Sequence, residues 1–585
     1  MDTSLSTATP SHKPLRLWPG VVAIVLLILS RFFVKALIPG FEGFMWAIEG
    51  SFGCAVAVIL WWLFFSRAPW LDRVGAIVLI FTALASAWFV KHESMGPAWM
   101  FAYAAPFVLV AFVGAAFAAR NLPDSRRRLL IGAAILLSSL GWTLFRTEGI
   151  DGDHRAAFAW RWSATTEQHL LAKPLPAEAL VEPAPSQPAR PAEAPKPEAL
   201  PTVTPDWPGF RGPNRDGVVQ GVTIATAWSE SQPVEIWRKP VGPGWSSFAV
   251  QGGLIYTQEQ RGEEELVSAY KAATGDVVWR HADRVRFFES NAGAGPRATP
   301  ALAGGRVYTL GATGILNALD ASSGRRIWTR NSTGDTKRRV PDWGFSASPI
   351  ITNGLVIIYA GRLVAYEAAT GNPKWLGESV GGSYSSPHLA SIGGVEQLVI
   401  LTPKGAAGLD PASGAPIWSH EWQGLPITQP ALIPGGGMLI SASQSAGTRR
   451  IDPVHGPGGW TIDTRWTSLA LKPYFNDTVV HKGHAYGFDA RILACIDLDD
   501  GKRVWKGGRY GNGQMLLLPD QDLLLILSED GEIALVQASP SGFTELAKIP
   551  VLEGKTWNHP VFASGLLFVR NAQEMAAFRL PIAGR

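Results

Sequence analysis

The sequence predicts an α-helical membrane domain over residues 1–150, a stalk and linker over 151–206, and an all-β propeller of eight four-stranded blades over 207–585. Three observations carry this expectation. An eleven-residue pattern recurs in the C-terminal two thirds. Five long apolar stretches fill the first quarter. A proline-rich run separates the two regions.

The pattern is a small residue, x, Asp/Glu/Lys, x, x, Thr/Ser/Asp, Gly, x, x, x, Trp. It reads Ala269-Tyr-Lys-Ala-Ala-Thr-Gly-Asp-Val-Val-Trp279 in its first clear copy and returns at Ala318 to Trp328, Ala365 to Trp375, Gly408 to Trp418 and Cys495 to Trp505. A period of about 40 residues is that of a four-stranded propeller blade. In each copy Asp and Thr bond local backbone, and Gly accepts the positive φ of a tight turn. The small residue is expected where a neighbouring blade comes close. The Trp ring is expected to lie on the next blade, with its indole N–H bonded there. Trp466 closes a degenerate copy, and Leu546 stands in the Trp place of another. The final copy, starting at Ala577, has no Trp after it; its missing strand is expected near Trp237. The docking positions are therefore Trp237, Trp279, Trp328, Trp375, Trp418, Trp466, Trp505 and Leu546, and the eighth blade is built from both ends of the domain, leaving only short sheet edges.

The apolar stretches are Leu17–Leu37, Phe44–Ser66, Val74–Val90, Ala98–Ala119 and Leu129–Phe145. Each is near the length of a spanning helix. Basic residues sit before the first (His12, Lys13, Arg16), between the second and third (Arg67, Arg73) and between the fourth and fifth (Arg120, Arg126, Arg127, Arg128). These segments are expected to be cytoplasmic, which puts everything after Arg146 on the far side, the periplasm in a bacterium with two membranes. Arg31, Lys35 and Glu49 fall near the outer ends of the first two spans, where snorkelling is the simpler reading and a quinone or helix contact the alternative. Beyond Phe145, the aromatic and arginine-rich Phe158 to Trp162 suits an interfacial anchor, followed by a helix-compatible run to Leu171. From Lys173 to Asp206, Pro, Ala and Glu dominate, which predicts an extended, semi-stiff tether.

Net charge is only +4, which gives no case for nucleic-acid binding. The two cysteines, Cys54 and Cys495, lie in different regions and are not expected to pair. No zinc-type Cys/His spacing is present, and no metal ligands are assigned.

Each blade opens on a related short strand: Gly244-Trp-Ser-Ser, Arg297-Ala-Thr-Pro, Phe345-Ser-Ala-Ser-Pro, Tyr384-Ser-Ser-Pro-His388, Ile427-Thr-Gln-Pro and Trp557-Asn-His-Pro. Such strands line the central channel. Arg297, His388, Gln429, Asn558 and His559 are the candidates there, because each needs polar partners when buried. Lys472, Asn476 and Asp477 are added from the loops, with Asp477 as the candidate catalytic carboxylate.

These repeats resemble the tryptophan-docking repeat of pyrroloquinoline-quinone (PQQ) propeller proteins, and Trp207-Pro-Gly-Phe-Arg-Gly-Pro-Asn-Arg-Asp-Gly217 resembles the opening segment of BamB-like repeat proteins. The resemblance covers 207–585 and implies two kinds of function. Membrane-bound quinoprotein glucose dehydrogenases also place an eight-bladed propeller after five spans, which implies oxidation of a sugar or alcohol through PQQ and calcium, with electrons passed to ubiquinone. BamB-type factors are non-catalytic and hold envelope proteins. The dehydrogenase calcium set does not align to particular residues here, and the blades are compact. Binding or scaffolding is therefore placed ahead of catalysis, in a multi-pass inner-membrane protein with membrane lipid and other envelope proteins as partners.

Overall fold

The structure is a computed structural model. It describes residues 15–38, 41–96, 100–152, 155–172, 206–378, 381–442 and 446–582. The chain divides into two compact units, one formed by 1–163 with 290–292 and one by 164–289 with 293–585. Most of the proline-rich tether lies outside the described residues.

The first unit is helical: Trp18–Leu37, Phe41–Leu60 continued by a π turn Trp61–Phe65, Trp70–Val90, Ala105–Ala118 after a π turn Met100–Ala104, and Asp124–Trp142. Trp61, Trp62 and Phe112 are buried among these helices. Among the described residues, two helices are long and apolar enough to cross a membrane, Gly43–Phe65 and Trp70–Val90. The five-span expectation is thus supported at two of its five stretches; Arg126, Arg127 and Arg128, expected in the loop before the fifth, fall inside the last helix. Arg31 is buried with its guanidinium 4.3 Å from the Tyr103 ring centre, a cation–π contact. After Trp142 the chain turns into a hairpin, Phe145–Ile150 with Ala156–Trp160, where the Phe145 and Trp160 rings stack at 4.7 Å.

The second unit begins with a short helix, Thr166–Leu171, started by a capping box between Thr165 and Gln168. The remainder is a propeller. Eight four-stranded antiparallel sheets follow one another at 249–283, 301–331, 350–376, 388–421, 431–468, 479–509 and 514–550, and the eighth combines 561–579 with Val234–Pro240 as its outermost strand. The chain thus closes its ring from both ends, as the sequence predicts. Trp237 faces Ala577 across that seam.

The repeat explains the assembly. In blade one Ala269 pairs directly with Trp279, in blade two Ala318 with Trp328, in blade three Ala365 with Trp375. The small residue therefore makes room first for the Trp of its own blade: a Cβ on Gly408 would lie 2.3 Å from the Trp418 indole nitrogen. The Trp then reaches the next blade. Trp237, Trp279, Trp328, Trp375, Trp466 and Trp505 donate their indole N–H to Ala272, Ala321, Ala368, Pro411, Leu498 and Ser539 carbonyls at 2.8–3.2 Å. The ring face covers the turn glycine there. Gly371, at φ +74°, has no room for a Cβ, which would lie 2.7 Å from Trp328.

Two copies depart from the pattern. Trp418 donates to Gln397 of its own blade at 2.5 Å, because blade five replaces the turn with a long hairpin, Thr448–Gly456 and Gly459–Ser468. In blade seven the residue facing Ala534 is Lys548, not Leu546, because the connection between the two strands is four residues longer than in blades one to three. Leu546 is 41% exposed. Each apolar cluster of the propeller straddles neighbouring blades; Tyr308, Ala318 and Trp328 of blade two, for example, meet Val356, Ile358 and Tyr366 of blade three. Burial between blades, rather than within one, holds the ring together.

Candidate functional site

The innermost strands bring the polar candidates together, and their first use is structural. Ser247 N–H donates to Thr299 Oγ1 at 3.0 Å, Thr299 N–H to Ser348 Oγ at 2.9 Å, Ser348 N–H to Ser386 Oγ at 2.9 Å, Ser386 N–H to Gln429 Oε1 at 3.0 Å, and Gln429 N–H to Asp477 Oδ1 at 2.7 Å. This relay hands one hydrogen bond from blade one through to blade six. Four of its members precede a proline, which holds the residue extended and leaves its N–H free to point sideways. Asn476 extends the stitching to blade seven by donating to Gly513 O at 2.7 Å, and Asn558 joins blade eight to blade one by donating to Ser246 O at 2.8 Å.

The opening segment lies against this relay. Trp207 pairs with Val250 on the innermost strand of blade one. Arg211 and Arg215 follow, 3% and 8% exposed. Arg211 donates to the carbonyls of Arg215, Asp216 and Thr478, and its Nε lies 3.4 Å from Asp477 Oδ2. Arg215 donates to Pro349 O at 2.9 Å and Ser348 O at 3.2 Å. Phe210 sits edge-on to His559 at 4.8 Å, and His559 Nε2 is 3.5 Å from Asp477 Oδ2. Asp477 is thus the point where the relay meets the opening segment, whose two arginines plug the channel. Burial pushes its carboxyl up, and Arg211 opposes that shift. His388 is held neutral, its pKa pushed down to about 3 by burial and then by Arg215 and Arg211. Burial also takes His559 well below its ordinary value.

The connections from each outer strand to the next inner strand share one face of a propeller. Here they carry a run of half-buried aromatic rings. Trp245 lies 4.9 Å from Trp557, Trp557 5.0 Å from Phe475, Phe475 5.2 Å from Tyr474, Tyr474 6.4 Å from Trp343, and Trp343 4.9 Å from Tyr384. Blades six and three are far apart around the ring, so the Tyr474–Trp343 contact spans the channel mouth. Lys555 Nζ sits over both Trp557 (4.3 Å) and Trp245 (5.3 Å). Arg297 is here too. It pairs with Glu289 at 3.3 Å, donates to Gly293 O and Gly295 O, and lies over Phe287 at 4.6 Å. Burial lowers its pKa to about 10, against the pull of Glu289 and Glu265. Lys472 is drawn instead to Asp489, which also takes Arg503 and Lys506. A separate cleft of about 510 Å³ between the short helix and blade eight is lined by His169, Arg238, Glu553 and Glu574, with Arg238 already paired to Glu574 at 2.7 Å.

Sequence reasoning nominated Arg297, His388, Gln429, Asn476, Asp477, Asn558 and His559. It did not single out Arg211, Arg215 or the aromatic arc. A signal was present: Trp245, Trp343, Tyr384, Tyr474 and Trp557 each stand two to five residues ahead of Ser247, Ser348, Ser386, Asp477 and His559. The nominated residues do not fit a calcium–quinone pair. Among the described residues no three His, Cys, Asp or Glu side chains converge. Asp477 and Arg297, the carboxylate and cation such a pair would draw on, are committed to Gln429, Arg211 and Glu289.

Comparisons with known proteins follow the same division. Residues 212–392 match the family model described as outer membrane protein assembly factor BamB. The chain is 24% identical to BamB of Yersinia pestis over 382 residues, 62% of this chain and 81% of that protein. It is 29% identical to quinohemoprotein alcohol dehydrogenase ADH-IIG of Pseudomonas putida over 180 residues, 29% of this chain but only 24% of the enzyme's length. BamB from Moraxella catarrhalis superposes with a TM-score of 0.44 at 15% identity, covering 60% of this chain and 98% of that one. The repeat domain is an eight-bladed, PQQ-repeat propeller of BamB-like sequence, preceded by a helical region.

Proposed function

We propose that this chain is a membrane-anchored binding module, with its propeller on the periplasmic side of a bacterial inner membrane and its aromatic mouth presented to an envelope protein. The observation that carries this reading is the use of the channel's polar groups. The relay, with Arg211, spends most of them on the chain itself, while six aromatic rings at the mouth stay half-buried. Half-buried Trp and Tyr are the side chains on which binding energy concentrates, because they supply apolar area with a polar edge at little entropic cost. Two apolar helices and the basic segments beside them support the anchor.

Photocrosslinking groups placed at Trp343 and Trp557 in living cells test it. The expected result is a discrete adduct with one barrel-assembly component, lost when Tyr474 is replaced by Ala. Crosslinking to lipid alone would refute it. Alkaline phosphatase fused after Pro205 is expected to be active; an inactive fusion would put the propeller on the other side.

The runner-up is a PQQ-dependent dehydrogenase passing electrons to ubiquinone, favoured by the local match to the alcohol dehydrogenase. Purified protein supplied with PQQ and calcium is expected not to reduce an artificial acceptor with glucose or simple alcohols. Turnover abolished by Asp477→Asn would establish the enzyme reading.

A further inference from the structure

The channel holds an excess of buried positive charge. Arg211 and Arg215 are both buried there, and among the described residues the one carboxylate within ion-pair distance of either is Asp477, on Arg211. Asp477 is also shared with the Gln429 N–H and with His559. Arg215 meets only carbonyl dipoles, Pro349 O and Ser348 O, and the Phe210 ring at 5.7 Å. Two of its five N–H groups are thereby used; the other three have no acceptor among the described residues. A buried guanidinium with no counter-charge in contact is costly.

A second observation points to the same place. His388, on the first strand of blade four, is 1% exposed, and neither of its ring nitrogens has a hydrogen-bond partner. It stands two residues after Ser386, whose Oγ accepts from Ser348 N–H, and Ser348 O in turn holds Arg215. A neutral imidazole always carries one N–H donor. An orphaned donor and an under-used guanidinium are the groups to which an anion binds.

We infer that the propeller channel binds one small monoanion, a halide or a carboxylate, between the Arg215 guanidinium and the His388 imidazole. The stoichiometry follows from charge: two arginines and one aspartate leave one positive charge, which a monoanion cancels and a dianion would reverse. The site lies beneath the aromatic mouth and is separate from the partner-binding role proposed for it.

The test uses the full chain in detergent, dialysed into a sulfate buffer of fixed ionic strength, with bromide and acetate titrated separately. A saturable rise in melting temperature is expected with bromide, acetate or both; saturation by one alone identifies the ligand as halide or carboxylate. Crystals grown in bromide are expected to show an anomalous peak within reach of Arg215 and His388. His388→Gln should weaken binding roughly ten- to a hundredfold, the worth of one charge-assisted bond. Arg215→Gln should abolish saturation while the protein still folds, since it removes the uncompensated charge. Asp477→Asn should tighten binding, because it adds to the positive excess. An unsaturable response shared by wild type and Arg215→Gln, or bromide density elsewhere only, would overturn the inference.

Discussion

Replacing Trp328 by Ala tests the account of how blades adhere. The ring is 8% exposed, lies 5.9 Å from Tyr308, covers Gly371 and donates to Ala368 O at 3.0 Å. Burying a Trp removes about 200 Å² from water, worth about 5 kcal/mol as an upper figure. The lost hydrogen bond adds little, because Ala368 O keeps Arg306 at 2.8 Å and Tyr308 at 3.1 Å and is not orphaned. Partial collapse of the site reduces the total, so the expected cost is about 3–5 kcal/mol. Trp328→Phe keeps most of the ring and should cost about 1–2 kcal/mol. Urea denaturation followed by far-UV circular dichroism reads both. Equal midpoints for wild type and Trp328→Ala would refute interblade docking as the source of stability. A penalty as large for Trp328→Phe as for Ala would show that the hydrogen bond, not the burial, carries it.

Three further outcomes are expected. Ser348→Ala removes the acceptor for the buried Thr299 N–H and should cost about 1–3 kcal/mol in the same assay, although the change is to a smaller apolar residue. Burial raises the Glu265 carboxyl to about 7, with Asp283 adding to the shift and the Ala312 N–H and Arg297 opposing it. The folded state then holds a proton that the unfolded chain releases near pH 4.5, so stability should fall as pH rises from about 4.5 to about 7; Glu265→Gln should flatten that slope in a pH series of melting temperatures. Deleting Met575–Arg585 removes the strand that pairs with Val234–Pro240 and should lower the melting temperature at least as much as Trp328→Ala; a truncated protein that melts like the parent would contradict the closure.

The eight blades and their closure were legible because each blade depends on a turn and a ring at fixed spacing, a local property. What varied by a residue or two was not. The four extra residues in the connection of blade seven moved the register to Lys548, and the long hairpin of blade five removed the turn that Trp418 would have covered. The channel residues were legible as a set, since polar side chains before proline repeat. Their use was not, because each donor is a backbone N–H on a different blade. Arg215 was harder still: its acceptors lie more than a hundred residues away, at Ser348 and Pro349. In the helical region, apolar length alone suggested five spans; among the described residues two helices have the length and apolarity to cross.

The closing seam also sets a timetable. Val234–Pro240 is made more than three hundred residues before Glu574–Arg579, its partner in the eighth sheet. At roughly 5–20 residues per second, the first strand waits on the order of half a minute with a bare edge. An unpaired edge is a template for the wrong partner. Until Glu574–Arg579 is made, the strand that carries Trp237 has no partner in the eighth sheet, which makes it a target for a holdase acting on the newborn chain.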